Sequence, residues 1–92
     1  MVRMTQIDAR LVDPRDAGWE QWNPAYRVSL WKHSGDGWAS REFEIGGADV
    51  NEVLAWIREQ PDGETFTLYA IVDHNAGRGL VRLAGIDPTR SA

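Results

Sequence analysis

One amphipathic helix stands between two pairs of strand-like segments, and this order narrows the possible folds of the 92-residue chain more than any other feature. Apolar residues repeat at the spacing of a single helix face at four positions, Val50, Val53, Leu54 and Ile57. Asp49 and Glu52 occupy the N-cap and the third helical position, which predicts an acidic capping box. Pro61 cannot continue a helix, so the helix is expected to end before it.

The strand-like segments lie in pairs before and after this helix. They cover residues 26–32, 38–45, 65–72 and 79–84, and the third, TFTLYAIV, alternates most regularly. Turn residues separate the members of each pair, HSGDG in the first and DHNAGR in the second, which predicts two hairpins. We therefore predict a single α+β domain over residues 26–85, with the element order ββαββ and one helix on one face of a four-stranded sheet.

This layout of two hairpins around a helix is similar to that of the β-grasp superfold. The similarity is one of element order and rests on no sequence motif. It implies a sheet order of 2-1-4-3, with the helix making the crossover, and it carries no function.

The two ends of the chain are less regular. Residues 1–25 are predicted to form an arm that packs on the sheet, as a strand or a short helix. Ile7 and Leu11 fit an alternating strand and, together with Met4, also fit helical spacing. Asp87-Pro88 and the short tail after it carry no strand or helix pattern, so residues 86–92 are expected to form a frayed tail.

Because side chains alternate between the two faces of a sheet, each residue of the second hairpin can be assigned to one face. The apolar set that should face the helix is Phe66, Leu68, Ala70 and Val72. The cross-strand pairs that keep this set inward are Ala70–Val81, Leu68–Leu83, Tyr69–Arg82 and Ile71–Leu80. The last two of these pairs then lie on the face away from the helix.

The first hairpin can be sorted in the same way. The expected pairs are Tyr26–Phe43 and Leu30–Ala39 inward, with Trp31–Trp38 and Arg27–Glu42 outward. The face away from the helix then carries the candidate interaction surface, which comprises Trp31, Trp38, Tyr69, Ile71, Leu80, Arg27 and Arg82.

The chain has five tryptophans and no cysteine, and the main question is what covers the face away from the helix. Large aromatic rings are costly to leave in water, and apolar clusters of this size rarely stay bare on a monomer. Trp56 is placed beside the helix stripe, half covered by a neighbouring segment. Three covers for the other face are considered: the arm, a second copy in a homodimer, or an unknown protein partner. The arm would contribute Trp19, Trp22, Ile7 and Leu11.

The composition is that of an ordinary globular domain without redox sites. With no cysteine, disulfides and thiolate metal sites are excluded, and a reducing cytoplasm is the expected location. Residues 1–8 have no apolar core of a signal peptide, and no apolar run approaches the roughly 20 residues of a membrane helix. The net charge of −4 disfavours nonspecific binding to nucleic acid or anionic lipid. A membrane partner is therefore not expected.

No catalytic, metal-binding or cofactor-binding constellation emerges. His33 and His74 fall in the two hairpin loops, at opposite ends of the expected sheet, so they should not share a metal or acid–base site. Glu42 and Glu44 lie on one strand face about 7 Å apart, but Arg27 opposite Glu42 gives a structural explanation. No nucleophile elbow or phosphate-binding loop is present. We expect no enzymatic activity and no cofactor.

The leading hypothesis is a small cytoplasmic domain of bacterial type that acts as a non-catalytic protein–protein interaction or regulatory module. An alternative is an acidic inhibitor or immunity-like protein that binds a basic partner through Asp36, Glu42, Glu44, Asp62 and Glu64. A weaker alternative is a single-stranded nucleic-acid binder on the open sheet, using Trp31, Trp38, Tyr69, Arg27 and Arg82. The carboxylates on the same face and the acidic total oppose nucleic-acid binding.

Overall fold

Four strands and one α-helix follow one another in the order ββαββ. The computed structural model describes residues 6–74 and 77–90. The elements are β1 (Ala25–Ser34), β2 (Gly37–Ile45), α1 (Val50–Glu59), β3 (Phe66–His74) and β4 (Gly77–Gly85). The predicted α+β class, with one helix and one four-stranded sheet, is confirmed. Positions 1–5 of the predicted arm, 75–76 of the second turn and 91–92 of the tail lie outside the described residues.

The helix begins at the predicted capping box. The backbone N–H of Glu52 donates to Asp49 Oδ1, and the backbone N–H of Asp49 donates to Glu52 Oε1, each at 2.9 Å. Val53 and Ile57 are buried on the face that packs against the sheet. Trp56 lies beside that face and meets the ring of Phe43 edge-on, with the ring centroids 5.0 Å apart. The helix prediction and the position of Trp56 are confirmed.

The sheet is antiparallel, and its strand order is β2-β1-β3-β4. The order 2-1-4-3 implied by the β-grasp similarity is therefore wrong, because β3 rather than β4 lies beside β1. The apolar strand β3 is buried on both faces, at Leu68 on one side and Thr67 on the other. β4 contains three glycines and two arginines, a composition that suits an edge strand better than a central one.

The register of the first hairpin differs by two residues from the predicted register. The observed pairs include Tyr26–Ile45, Val28–Phe43, Leu30–Arg41 and Trp31–Ser40. The error has its origin in the turn, which contains only Gly35 and Asp36 instead of the five residues expected. Gly35 has a φ of 61°, which the first central position of a type II′ hairpin turn requires. A shift of two residues leaves every side chain on its predicted face.

The predicted register of the second hairpin is correct from the turn as far as a β-bulge near the end of β4. Tyr69 pairs with Arg82, and Ile71 pairs with Leu80, as predicted. The register then shifts between Leu68 and Tyr69, so that Leu68 faces Ala84 rather than Leu83. The predicted Leu68–Leu83 pair is wrong because one extra residue of β4 is accommodated there, as in a β-bulge.

The core lies between α1 and one face of the sheet. Its buried members are Tyr26, Val28, Leu30, Val53, Ile57 and Leu68. Phe66 packs against them, so the apolar set of β3 faces the helix as predicted. The helix leaves part of β4 uncovered, because Val81 on this same face is 53% exposed.

The arm does not cover the sheet in the residues that the structure describes. Leu11 is fully exposed, and Trp19 and Trp22 are 71% and 82% exposed. Residues 6–24 therefore form no second core with the sheet, which was the first of the three covers considered. The start of the predicted frayed tail is instead held in place, because the backbone N–H of Ile86 donates to the Phe66 carbonyl at 2.9 Å.

Candidate functional site

The face of the sheet opposite α1, called the outer face below, has a buried polar centre. Ser29 and Thr67 are buried there although both carry hydroxyl groups. The indole N–H of Trp31 donates to Thr67 Oγ1 at 2.9 Å, and the Thr67 hydroxyl donates to the carbonyl of Ile86. The C-terminal segment thus reaches the outer face, for which the arm was one of the three covers considered.

One ion pair stabilises the pairing of β1 with β2 on this face. Arg27 Nε lies 3.2 Å from Glu42 Oε1, and the Ser29 hydroxyl donates to the same oxygen at 2.8 Å. The expected Arg27–Glu42 contact therefore forms, although it is diagonal because Arg27 pairs with Glu44 in the ladder. Burial raises the pKa of Glu42, but hydrogen bonds from Ser40, Ser29 and Arg27 outweigh it and place this pKa below its ordinary value.

A second ion pair joins the two edge strands across the outer face. Arg78 Nη1 on β4 lies 2.8 Å from Glu44 Oε1 on β2, so the two side chains bridge the central strands. According to the strand registers, the line between them crosses β3 close to Ile71. Ile71 is only 5% exposed. Part of the expected apolar surface is therefore covered by the chain's own charged side chains.

The tip of the first hairpin carries an aromatic stack. The rings of Trp38 and His33 face each other with their centroids 3.8 Å apart and an angle of 29° between their planes. The two residues are opposite in the ladder, whereas Trp31 is opposite Ser40. The predicted Trp31–Trp38 pair is therefore wrong, although both tryptophans lie on the outer face and are half-buried.

A groove of about 770 Å³ lies between this hairpin tip and the loop that joins α1 to β3. Trp31 and Trp38 contribute to its first wall, and Pro61 and Glu64 contribute to its second wall. The groove is open to solvent along the exposed residues of the hairpin, among them Ser40. It is a surface channel beside aromatic side chains and not an enclosed cavity.

An ion pair holds the two walls of the groove together. Arg41 on β2 donates two hydrogen bonds to Asp62, at 3.0 Å from Nε to Oδ2 and at 2.8 Å from Nη2 to Oδ1. These hydrogen bonds place the pKa of Asp62 below its ordinary value, against a smaller effect of burial. The guanidinium of Arg41 also lies 5.2 Å from the centre of the Phe43 ring. The loop is thereby anchored to β2.

All seven residues of the candidate interaction surface lie on the outer face, but they differ in exposure. Half-buried side chains belong to Trp31, Trp38, Tyr69 and Arg27, and Ile71 is buried. Leu80 and Arg82 on the edge strand β4 are exposed. The Arg82 guanidinium donates to the Gly85 carbonyl at 3.0 Å, so one of its donors is already occupied.

The residues considered for chemistry do not converge. His33 is at the end of β1 that carries the first turn, while residue 74 ends β3 at the opposite end of the sheet. Within the described ranges, no three His, Cys, Asp or Glu residues are placed to hold a metal ion. Glu42, Glu44 and Asp62 each have an arginine partner in the chain.

Val81 and Leu83 on the edge strand β4 are exposed, although the sequence pattern placed both of them inward. Leu80, Val81 and Leu83 are between 45% and 53% exposed and lie on both sides of this strand. Its glycine and arginine content was the available signal, because such a strand suits the edge of a sheet. The similarity of element order placed β4 in the centre instead.

Comparison of the chain with protein-family models, with curated protein sequences and with solved structures gives no match. Among the residues described, no helix has the length and apolar character needed to span a membrane.

Proposed function

We propose that this chain is a small, non-catalytic protein–protein interaction module of the cytoplasm. Its working surface is the outer face, with the Trp31–Trp38 end as the centre and Tyr69 and Arg82 towards the β4 edge. The observation that carries this proposal is the pair of half-buried tryptophans beside an open groove. Partly exposed tryptophan, tyrosine and arginine side chains are the types most often found at the energetic centre of protein interfaces.

The surroundings of these aromatic side chains support the proposal. Trp31 is fixed by its bond to Thr67, and Trp38 is stacked on His33. The Arg41–Asp62 pair holds the opposite wall of the groove. Side chains that are already ordered lose less conformational entropy when a partner binds, so more of the contact energy appears as affinity.

The acidic-inhibitor hypothesis comes second because its carboxylates have other partners. Glu42, Glu44 and Asp62 are each paired with an arginine of the same chain. A basic partner would have to compete with these arginines for the same oxygens. The nucleic-acid hypothesis meets a similar objection, because Arg27 lies against Glu42 and Arg82 donates to a backbone carbonyl.

The experiment is photo-crosslinking from the outer face in cells of the organism that encodes the chain. A photoreactive phenylalanine replaces Ser40, which is exposed and lines the groove, so the fold tolerates the larger side chain. The matched control places the same group at Glu59, an exposed position of α1. We expect one discrete crosslinked protein from position 40 and none from position 59.

A second substitution identifies the residue responsible. Trp38→Ala in the position 40 background is expected to remove the crosslink while circular dichroism shows that the sheet is still folded. Equal crosslinking from positions 40 and 59, or a crosslink that survives Trp38→Ala, would contradict the proposed surface.

A further inference from the structure

In the part of the chain that the structure describes, no strand lies on the far side of β4, and the backbone groups on that edge can be assigned from the ladder. The N–H of Trp31 donates to the Thr65 carbonyl, so the odd-numbered residues of β1 and β3 bond to each other. The even-numbered residues of β3 therefore bond to β4, at residues 77, 79 and 81. By the same alternation, the N–H and C=O groups of Arg78, Leu80 and Arg82 point away from the sheet.

The two edges of the sheet are unlike. On the outer face, β2 carries Glu42 and Glu44, and its third charged residue, Arg41, holds Asp62. Charged side chains on an edge strand discourage pairing with another strand. β4 also carries two arginines on the outer face, Arg78 and Arg82, but it exposes Leu80 between them, Val81 on the helix side, and Leu83 at the bulge.

We propose that β4 pairs antiparallel with β4 of a second copy of the chain, with the two-fold axis at Val81, to form one continuous eight-stranded sheet. Charge disfavours the neighbouring register. A two-fold axis at Leu80 would place Arg78 opposite Arg82 of the second copy twice, and like charges directly opposite each other destabilise a strand pair. An axis at Val81 pairs Leu80 with Arg82 and separates the arginines.

The axis at Val81 also uses the exposed apolar side chains. On the helix side it brings the two Val81 side chains together at a non-hydrogen-bonded position, where side chains approach most closely. Arg78 remains free to hold Glu44 and Asp73 of its own chain, at 2.8 and 3.6 Å, so its charge stays compensated. A second copy is the proposed occupant because pairing about this axis packs the exposed Val81 side chains together and sets no arginine opposite another.

This dimer goes beyond the proposed function and does not depend on it. It shares Arg82 with the margin of the proposed working surface, but the centre of that surface, the Trp31–Trp38 end, lies beyond the start of β3, towards the first turn. A dimer of this kind presents two copies of that aromatic end to a partner. The few backbone bonds of one strand pair make a weak, concentration-dependent association the expected result.

The absence of cysteine in the sequence allows a direct test. Cα atoms of a non-hydrogen-bonded pair lie about 4.5 Å apart, within the range of about 4.4–6.8 Å that a disulfide requires. Val81→Cys is therefore expected to form a disulfide-linked dimer under mild oxidation, at least about tenfold faster than the exposed helix control Glu59→Cys. An equal mixture of Leu80→Cys and Arg82→Cys is expected to form disulfide-linked dimers faster than either variant does by itself. The reason is that the axis at Val81 places residue 80 opposite residue 82 of the second copy.

A measurement on the unmodified chain guards against an artefact of the cysteines. Sedimentation equilibrium between about 10 µM and 1 mM is expected to show a mass that rises from 10.4 kDa towards twice that value. A mass that stays at 10.4 kDa over the whole range overturns the proposal. A dimer in which Val81→Cys crosslinks no faster than Glu59→Cys also overturns it, because the copies then meet elsewhere.

Discussion

The Thr67 hydroxyl accepts a hydrogen bond from the Trp31 indole and donates one to the Ile86 carbonyl, and its side chain is fully buried. One small residue therefore satisfies a β1 aromatic group and the backbone of the C-terminal segment. Among the described residues, no buried side-chain N or O atom lacks a partner. Loss of this hydroxyl would leave a donor and an acceptor unpaired.

Thr67→Val is expected to lower the free energy of unfolding by about 1–3 kcal/mol, because valine keeps the shape but leaves both hydrogen-bonding partners unsatisfied. Urea denaturation with an unchanged slope measures the difference. Thr65→Val makes the same chemical change at a half-buried position and is expected to cost less. If the two variants have the same stability, the network through Thr67 does not stabilise the outer face.

Glu42 gives the outer face a dependence on pH. Its pKa is lower in the folded chain than in the unfolded chain, so its contribution to stability is complete above the unfolded pKa, about 4.3. That contribution is lost as the pH falls through the folded pKa. We expect the wild-type chain to lose more unfolding free energy between about pH 6 and pH 3 than Glu42→Gln.

Urea denaturation at several pH values tests this expectation. Glu59→Gln, at an exposed position of α1, removes one negative charge elsewhere and serves as the control. It should follow the wild-type curve. Parallel curves for the wild type and Glu42→Gln would show that this carboxylate does not couple protonation to folding.

Features that depend on a single helix or strand could be predicted from the sequence. The capping box, the helix stripe and the sorting of side chains between faces follow from local periodicity. The hairpin register does not, because a shift of two residues preserves every face and depends only on the length of the turn. The strand order depends on which strand is buried on both faces, and thus on competition between β3 and β4.

The same division holds for the candidate surface. Alternation was enough to place Trp31 and Trp38 on the outer face. The stack of Trp38 on His33 and the Trp31–Thr67 hydrogen bond require the correct register and the contact between β1 and β3. The groove also requires the Arg41–Asp62 pair, whose members are far apart in the sequence.

Gly85, at the end of β4, tests the account of the bulge and the C-terminal segment. Its φ is 82°, and a Cβ atom at this position would overlap the carbonyl of Phe66. Gly85→Ala is therefore expected to lower the free energy of unfolding by about 3 kcal/mol, through strain and backbone overlap. Gly46→Ala has open space around its Cβ and should change stability by less than about 0.5 kcal/mol.

Urea denaturation of both variants measures these differences. Equal stability of Gly85→Ala and Gly46→Ala would contradict the close approach of β4 to Phe66.

The whole molecule is less compact than its length suggests. Its radius of gyration is 15.8 Å, whereas a compact domain of 92 residues has about 12 Å. The difference agrees with an arm that extends from the sheet with its apolar side chains exposed. Residues 6–24 of the arm leave the outer face and the β4 edge uncovered and open to other molecules.

Whether the arm packs on the sheet is measured by the thermal unfolding of a chain in which Ile7, Leu11, Trp19 and Trp22 are all replaced by serine. These side chains are exposed, so we expect the melting temperature to change by less than about 4 °C, the equivalent of less than 1 kcal/mol. The core control Leu68→Ala should lose about 2–5 kcal/mol and melt correspondingly lower. A fall in the serine variant as large as that of Leu68→Ala would show that the arm packs on the sheet, and would contradict an uncovered outer face.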